Sequence, residues 1–403
     1  MRDENEPRAV PSDVLIMSIS FCFIFMGAGA LQQFLINILK RSANWPLLGY
    51  ATTSILAMVY FSFMFWRIFI GLTLRRLGFY LSILLGGFTY LLFTLAVFLS
   101  RDYFLLLTAA AVWGWGACSI WIAAPTQIFL AAERTKYGLC TGLLYGFALS
   151  GYTVGVFLLG EVQRYSGDQA VVSAAALFTS LGVAVLFFLP RRRSTFAALR
   201  LGRIWQLAKR RSLLVAGFFL FTAAISYGIL LGVYAGFVDR AIGAGFVGRI
   251  AVFFYLARVA ASFLGGPISD RWGRGVVLRG SFLLAAFGLM ATVLVAERFS
   301  KGVAFQGMHY ATLILSSLFL GLQTGVIPVV TTAFVGDTLA QEERHLGLGA
   351  IFFWRDLAMV ITLLGGEALV VHFSFETAIL LFAIVFVGCA IVAPRVKVSS
   401  PRG

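Results

Sequence analysis

Unbroken apolar stretches of about twenty residues recur along nearly the whole chain, and no other feature restricts its fold as severely. They occupy residues 14–39, 47–70, 79–99, 103–131, 137–160 and 170–190, then 213–236, 247–269, 276–296, 310–336, 346–371 and 375–394. None alternates polar with apolar residues as a barrel strand would. Inside a bilayer each segment must satisfy its own backbone N–H and C=O groups, which leaves the α-helix. With 60% hydrophobic and only 12% charged residues, the chain has too little polar surface to clothe a soluble globule. The expected fold class is therefore an all-α polytopic membrane protein with twelve transmembrane helices.

The net charge of +15 lies mostly in the short segments between runs, which is how topology is set, so nucleic acid is not an expected partner. With both termini on one side, that side collects most of the 32 Lys and Arg. It includes Arg67 at the end of the second run, counted with the loop cations Arg75 and Arg76. Both termini are accordingly expected in the cytoplasm of a multi-pass protein of the plasma (bacterial inner) membrane. The expected organisation is a tail at 1–13, a six-helix bundle at 14–190, a basic linker at 191–212, a second bundle at 213–394 and a tail at 395–403. The linker, with an amphipathic piece around Leu199–Leu207, suits contact with anionic lipid. The first run has no small-residue cleavage site and reads as a retained helix. Cys22, Cys118, Cys140 and Cys389 fall inside apolar runs and read as small buried residues, not as disulfides or metal ligands.

The halves repeat. Placing Gly71 on Gly266 also places Arg76 on Arg271 and Gly78 on Gly273, a shift of 195 residues. Glu133-Arg134 before Gly138 likewise matches Glu343-Arg344 before Gly347. A duplicated six-span unit keeps its orientation, so the halves should be related by an axis along the membrane normal. Gly266-Pro267-Ile268-Ser269-Asp270-Arg271-Trp272-Gly273-Arg274, with Arg258 twelve residues before Asp270, resembles the loop signature of the major facilitator superfamily. Phe353-Trp354-Arg355-Asp356-Leu357 also looks like segments of some bacterial members. A fainter likeness to UNC93-like members lies in Gly49-Tyr50, Gly87-Phe88-Thr89-Tyr90 and Gly114-Trp115-Gly116 with Trp121.

That resemblance implies two pseudo-symmetric six-helix bundles rocking around a central cavity, with the loops forming a cytoplasmic gate. Gly71, Gly78, Gly266 and Gly273 would let helix ends approach. Asp270 and Arg271, with Arg274, would meet Glu133 and Arg134 at the start of the fifth span. The first-half loop departs from the signature, carrying Arg75 where the acid belongs. Arg75 and Arg76 are expected to face Glu342 and Glu343 instead.

Ionisable groups deep in a bilayer usually face a cavity or a partner, which singles out Arg258, Arg355 and Asp356. Two guanidinium groups suit a carboxylate or phosphate; holding helices in register is the alternative role. The uncharged candidates for the cavity are Gln32, Gln33, Asn37, Trp121, Gln127, Tyr227, Gln323 and Thr324, with Ser226 and Tyr234 beside them. Asp356 and Glu367 remain as carriers of a coupling proton. Gly243-Ala244-Gly245-Phe246-Val247-Gly248 matches a dinucleotide fingerprint as a string but lacks its strand–turn–helix setting. No P-loop, zinc-protease or nucleophile-elbow motif occurs, so neither enzyme activity nor a cofactor or metal is expected. The expected function is secondary active or facilitative transport of a small organic solute, anionic or amphiphilic, by rocker-switch alternating access. A non-transporting membrane scaffold or trafficking protein is the alternative.

Overall fold

The computed structural model describes residues 11–131, 137–191, 209–338 and 344–393, and no strand occurs among them. The basic linker from Arg192 through Ala208, the amphipathic piece within it and most of both tails lie outside the described residues. Among the described residues ten helices follow one another: α1 (Ser12–Ser42), α2 (Leu48–Leu99), α3 (Tyr103–Ala131) and α4 (Tyr137–Leu186). Then come α5 (Arg211–Ile242), α6 (Ala244–Trp272), α7 (Arg274–Ser300), α8 (Gly307–Thr338), α9 (Arg344–His372) and α10 (Phe375–Val392). Nine helices among the described residues are long and apolar enough to cross a membrane, as a multi-pass integral membrane protein requires. The remaining one, α9, carries Arg355, Asp356 and Glu367.

The stretches expected as loops after the second and eighth runs are largely helical. Helix α2 runs for 52 residues and breaks only at Gly78, where φ is 73° and ψ 177°. Buried Thr73 and Leu74 keep the intervening segment packed, and Thr73 Oγ1 accepts a hydrogen bond from Trp115 Nε1 at 3.3 Å. Gly266 to Trp272 forms the last turns of α6, and the chain turns at Gly273 with φ 85°. Gly78 and Gly273, matched in the sequence repeat, thus share a backbone conformation that side chains resist. Helix α4 breaks similarly at Gly167, φ 80°. All four cysteines are free.

Two π-turns interrupt the helices that begin each half of the chain, Phe25–Gly29 in α1 and Leu230–Tyr234 in α5. A π-turn frees backbone groups from the regular ladder, and such groups must find other partners. Ala28 N donates to Thr179 Oγ1 of α4 at 2.8 Å. The carbonyl oxygens of Leu230 and Ala235, at the two ends of the second π-turn, accept from Gln33 Nε2 at 3.2 Å and Asn37 Nδ2 at 3.1 Å.

Helices approach closely where glycine removes bulk, which is how packing proceeds in a solvent that supplies no hydrophobic force between them. A Cβ on Gly321 of α8 would stand 2.2 Å from the Phe254 carbonyl oxygen of α6, and one on Gly325 would stand 2.4 Å from that of Arg258. Gly160 and Gly248 face each other between α4 and α6, each lacking room for a side chain. The glycines of the apparent dinucleotide fingerprint are thereby explained. Gly243 turns the chain with φ 99°, Gly245 packs on Arg164, and Gly248 packs on Gly160.

Gly321→Ala should therefore destabilise the protein by about 1–3 kcal/mol through overpacking. Gly280→Ala, where a Cβ meets nothing within 4 Å, should leave stability unchanged or slightly raised. Unfolding of the detergent-solubilised protein by dodecyl sulfate, followed by tryptophan fluorescence, measures both.

Candidate functional site

Polar side chains gather where α1, α2, α4, α5, α6 and α9 meet. Gln33 and Asn37 lie on one face of α1, four residues apart, and both reach the interrupted backbone of α5. Gln33 also accepts a hydrogen bond at Oε1 from the Tyr255 hydroxyl of α6 at 2.9 Å. Tyr255 lies 3.3 Å from the Tyr152 hydroxyl of α4, which in turn accepts from the Tyr227 hydroxyl of α5 at 2.8 Å. The Arg258 guanidinium stands over the Tyr227 ring, 5.2 Å from its centroid. Gln32, the residue before Gln33 on α1, accepts from the Tyr60 hydroxyl of α2 at 2.7 Å. Tyr152 and Tyr60 escaped the sequence reading, since a lone tyrosine in an apolar run looks like core.

Other sequence candidates find their partners outside this belt, although Tyr145, the partner of Trp121, lies within electrostatic reach of Arg355 and Arg67. Trp121 stacks on Tyr145 at 5.3 Å and meets the edges of Phe21 and Phe25. Gln127 donates to Asp13 at 3.1 Å and to the Pro190 carbonyl at 3.3 Å, tying α3 to the start of α1. Thr324 bonds back to the Leu320 and Gly321 carbonyls of its own helix. Gln323 is fully buried, and its amide has no hydrogen-bond partner among the described residues. An apolar groove of about 400 Å³, lined by Ile225, Ile361, Phe373 and Phe382 among others, is separate again and offers almost no polar group.

The charged centre of the site joins α2 to α9. Arg67, grouped with loop cations in the sequence reading, is a helical residue whose Nε and Nη2 donate to Asp356 Oδ2 at 3.1 and 2.8 Å. Arg355 donates from Nε and Nη2 to Asp356 Oδ1 at 2.9 and 2.6 Å. Phe63 and Phe352 flank both cations: the Arg67 guanidinium lies 4.6 and 5.7 Å from the ring centroids, that of Arg355 5.8 and 5.1 Å. Tyr60, Phe63 and Arg67 share one face of α2 as Phe352, Arg355, Asp356 and Met359 share one face of α9. Tyr60 and Tyr227 lie within electrostatic reach of Arg355, so this cluster adjoins the tyrosine belt.

A second set of ion pairs lies at the end of the bundle where α1 terminates, called distal here. Lys40 binds both oxygens of Glu367 at 2.7 and 2.9 Å. Arg41 pairs with Asp168 at 2.7 and 2.8 Å and also with Asp239. Arg249 pairs with Glu161 at 2.5 and 2.8 Å. Each set joins α1 or α4 to a helix after residue 210. Toward the opposite end of α4, Gly142 and Gly146 meet nothing within 4 Å of where a Cβ would stand. Arg75, Arg76 and Arg271 are exposed there, and Arg274 is half-buried. Glu133, Arg134, Glu342 and Glu343 lie outside the described residues, as does the side chain of Asp270.

Residues 218–402 match the Major Facilitator Superfamily. The fold as a whole superposes on an auto-inhibited peptide transporter of the POT family with a TM-score of 0.78, 11% identity, and coverage of 98% of this chain and 99% of that one. The nucleoside transporter NupG superposes with a TM-score of 0.75 and 11% identity, covering 95% and 98% of the two chains. The chain thus shares the fold of these two transporters, and its second half carries the superfamily match. It is also 30% identical over 193 residues to UNC93-like protein 3 of Arabidopsis thaliana. That match spans 44% of this chain and 39% of the relative's length.

Removing Asp356 would leave two guanidinium groups facing each other without a counter-ion. Asp356→Ala should cost about 3–5 kcal/mol, the range for breaking a buried pair. Combining it with Arg67→Ala should recover part of that loss. A double-mutant cycle in dodecyl sulfate unfolding measures the coupling, and strict additivity would show that the pair contributes nothing.

Proposed function

We propose that this protein is a secondary transporter that carries a small organic solute through the central polar site by alternating access. The observation that carries the reading is the ion-paired closure of one end of the bundle. Ion pairs from Lys40, Arg41 and Arg249 clamp the helices before the linker to those after it at the distal end. The glycines of α4 near the other end face open space. A molecule whose described residues pair across one end, with a polar belt beside that closure, supports a reading as one half of a transport cycle.

In this reading α2 and α4 each cross the bilayer twice, turning at Gly78 and Gly167. The chain then makes twelve spans in two pseudo-symmetric bundles, residues 14–190 and 213–394. The matched breaks at Gly78 and Gly273 and the matched π-turns of α1 and α5 support the duplication. The distribution of Lys and Arg supports cytoplasmic termini and linker, which makes the distal end the outer one. The basic linker would rest on anionic lipid. A coupling proton or ion would act through Asp356 or Glu367. Both are salt-bridged, so its uptake would be tied to opening those pairs.

Alternating access requires the distal clamp to open. Spin labels at Ser42→Cys and Arg240→Cys, in a background without the four native cysteines, should report two distance populations in lipid. Charge reversal at Arg41 (Arg41→Glu) should shift the balance toward the longer distance. A single short distance in both proteins would defeat the transport reading in favour of a static scaffold.

A further inference from the structure

The Arg67–Asp356–Arg355 cluster sets two positive charges against one negative charge. Asp356 is fully buried and both its oxygens are occupied. Each guanidinium uses its Nε and Nη2 on that carboxylate, and neither Nη1 has a hydrogen-bond partner among the described residues. The next acid along α9, Glu367, belongs to Lys40 and sits about 16 Å further along the helix axis. A surplus cation at this depth is costly unless an anion or water meets it. The exposure of the cluster shows where that partner approaches: the Arg355 side chain is 33% accessible, while its counter-ion Asp356 is 0% accessible.

We propose that Arg355, braced beside Arg67 by their shared Asp356, docks the carboxylate of an organic anion with an aromatic or broad apolar body. The assignment rests on the transport reading and names the chemical class of its solute. Asp356 acts as a positioning residue. It ties the two like charges together, fixes the plane of each guanidinium and leaves the outer edge of Arg355 free for a charge-assisted hydrogen bond. Tyr60 and Tyr227 offer no proton to the ligand, because their hydroxyl groups donate to Gln32 and Tyr152. The Arg258 guanidinium lies over the Tyr227 ring, so recognition of charge falls to Arg355, while half-buried Phe352 gives the adjoining wall an apolar surface for the body of the molecule.

Binding to the purified full-length protein, read by tryptophan fluorescence, tests this with matched pairs: benzoate and benzamide, phenylacetate and phenylacetamide, 4-phenylbutyrate and its amide. At least one acid should bind tenfold or more tightly than its amide. Arg355→Gln should bring that acid to the level of the amide, and Arg298→Gln, an exposed cation at the distal end, should leave it unchanged. Should Arg355→Gln fail to fold, Arg355→Lys keeps the charge but loses the planar fork and should weaken the acid severalfold. Amides binding as well as acids would overturn the anion assignment and leave the transport reading standing. Undiminished acid binding in the Arg355 variant, or no binding by any acid, would overturn it as well. The spin-label distances judge transport separately.

Discussion

Nothing in the hydrocarbon core of a bilayer completes a hydrogen bond that the protein leaves open, and this constraint governs the whole molecule. It makes every apolar run a helix, and it makes each departure from helical geometry conspicuous. Where α1 and α5 take a π-turn, the groups at the irregularity are met at once by Thr179, Gln33 and Asn37. Two of those three contacts run from α1 to α5, across the middle of the molecule. The irregular backbone thus ties the two sets of helices together at the level where the site lies.

The same constraint sorts the charges. A cation in the membrane interior must have a carboxylate, an aromatic face or water within reach. Arg258 takes the ring of Tyr227, and Arg67 and Arg355 share Asp356 between two phenylalanines. Nearer the distal surface Lys40, Arg41 and Arg249 all take carboxylates from helices across the interface. Partially exposed pairs of that kind contribute little stability singly. Such pairs can part without repacking a core, whereas interdigitated apolar side chains would have to unpack.

Packing supplies the remaining selectivity. Close contacts at Gly160 with Gly248, and at Gly321 and Gly325 against α6, bring backbones together at chosen heights. Gly142 and Gly146 on α4 have no neighbour within 4 Å of a Cβ position, while Cys140 and Leu144 on the same segment are fully buried.

The sequence by itself determined the elements: apolar runs long enough to span a bilayer have only the helix open to them. It also singled out Arg258, Arg355 and Asp356, because ionisable groups at that depth need a partner or a cavity. Gln33, Asn37 and Tyr227 were legible too, as polar positions within apolar helices. The partners were not legible. Arg67 lay near the end of a run and passed for a loop cation until α2 proved to continue to Gly78 and place it against α9. Tyr152 and Tyr255 became a hydroxyl chain only when α4 and α6 were brought within 3.3 Å. Gln127 and Trp121 looked as apt as Gln33 in the sequence, yet they turn to Asp13 and Tyr145. Periodicity states which face of a helix a residue occupies. Which helix that face meets, at what height and with which charge opposite, depends on contacts between residues hundreds of positions apart, such as Arg67 with Asp356, and only the tertiary structure decides them.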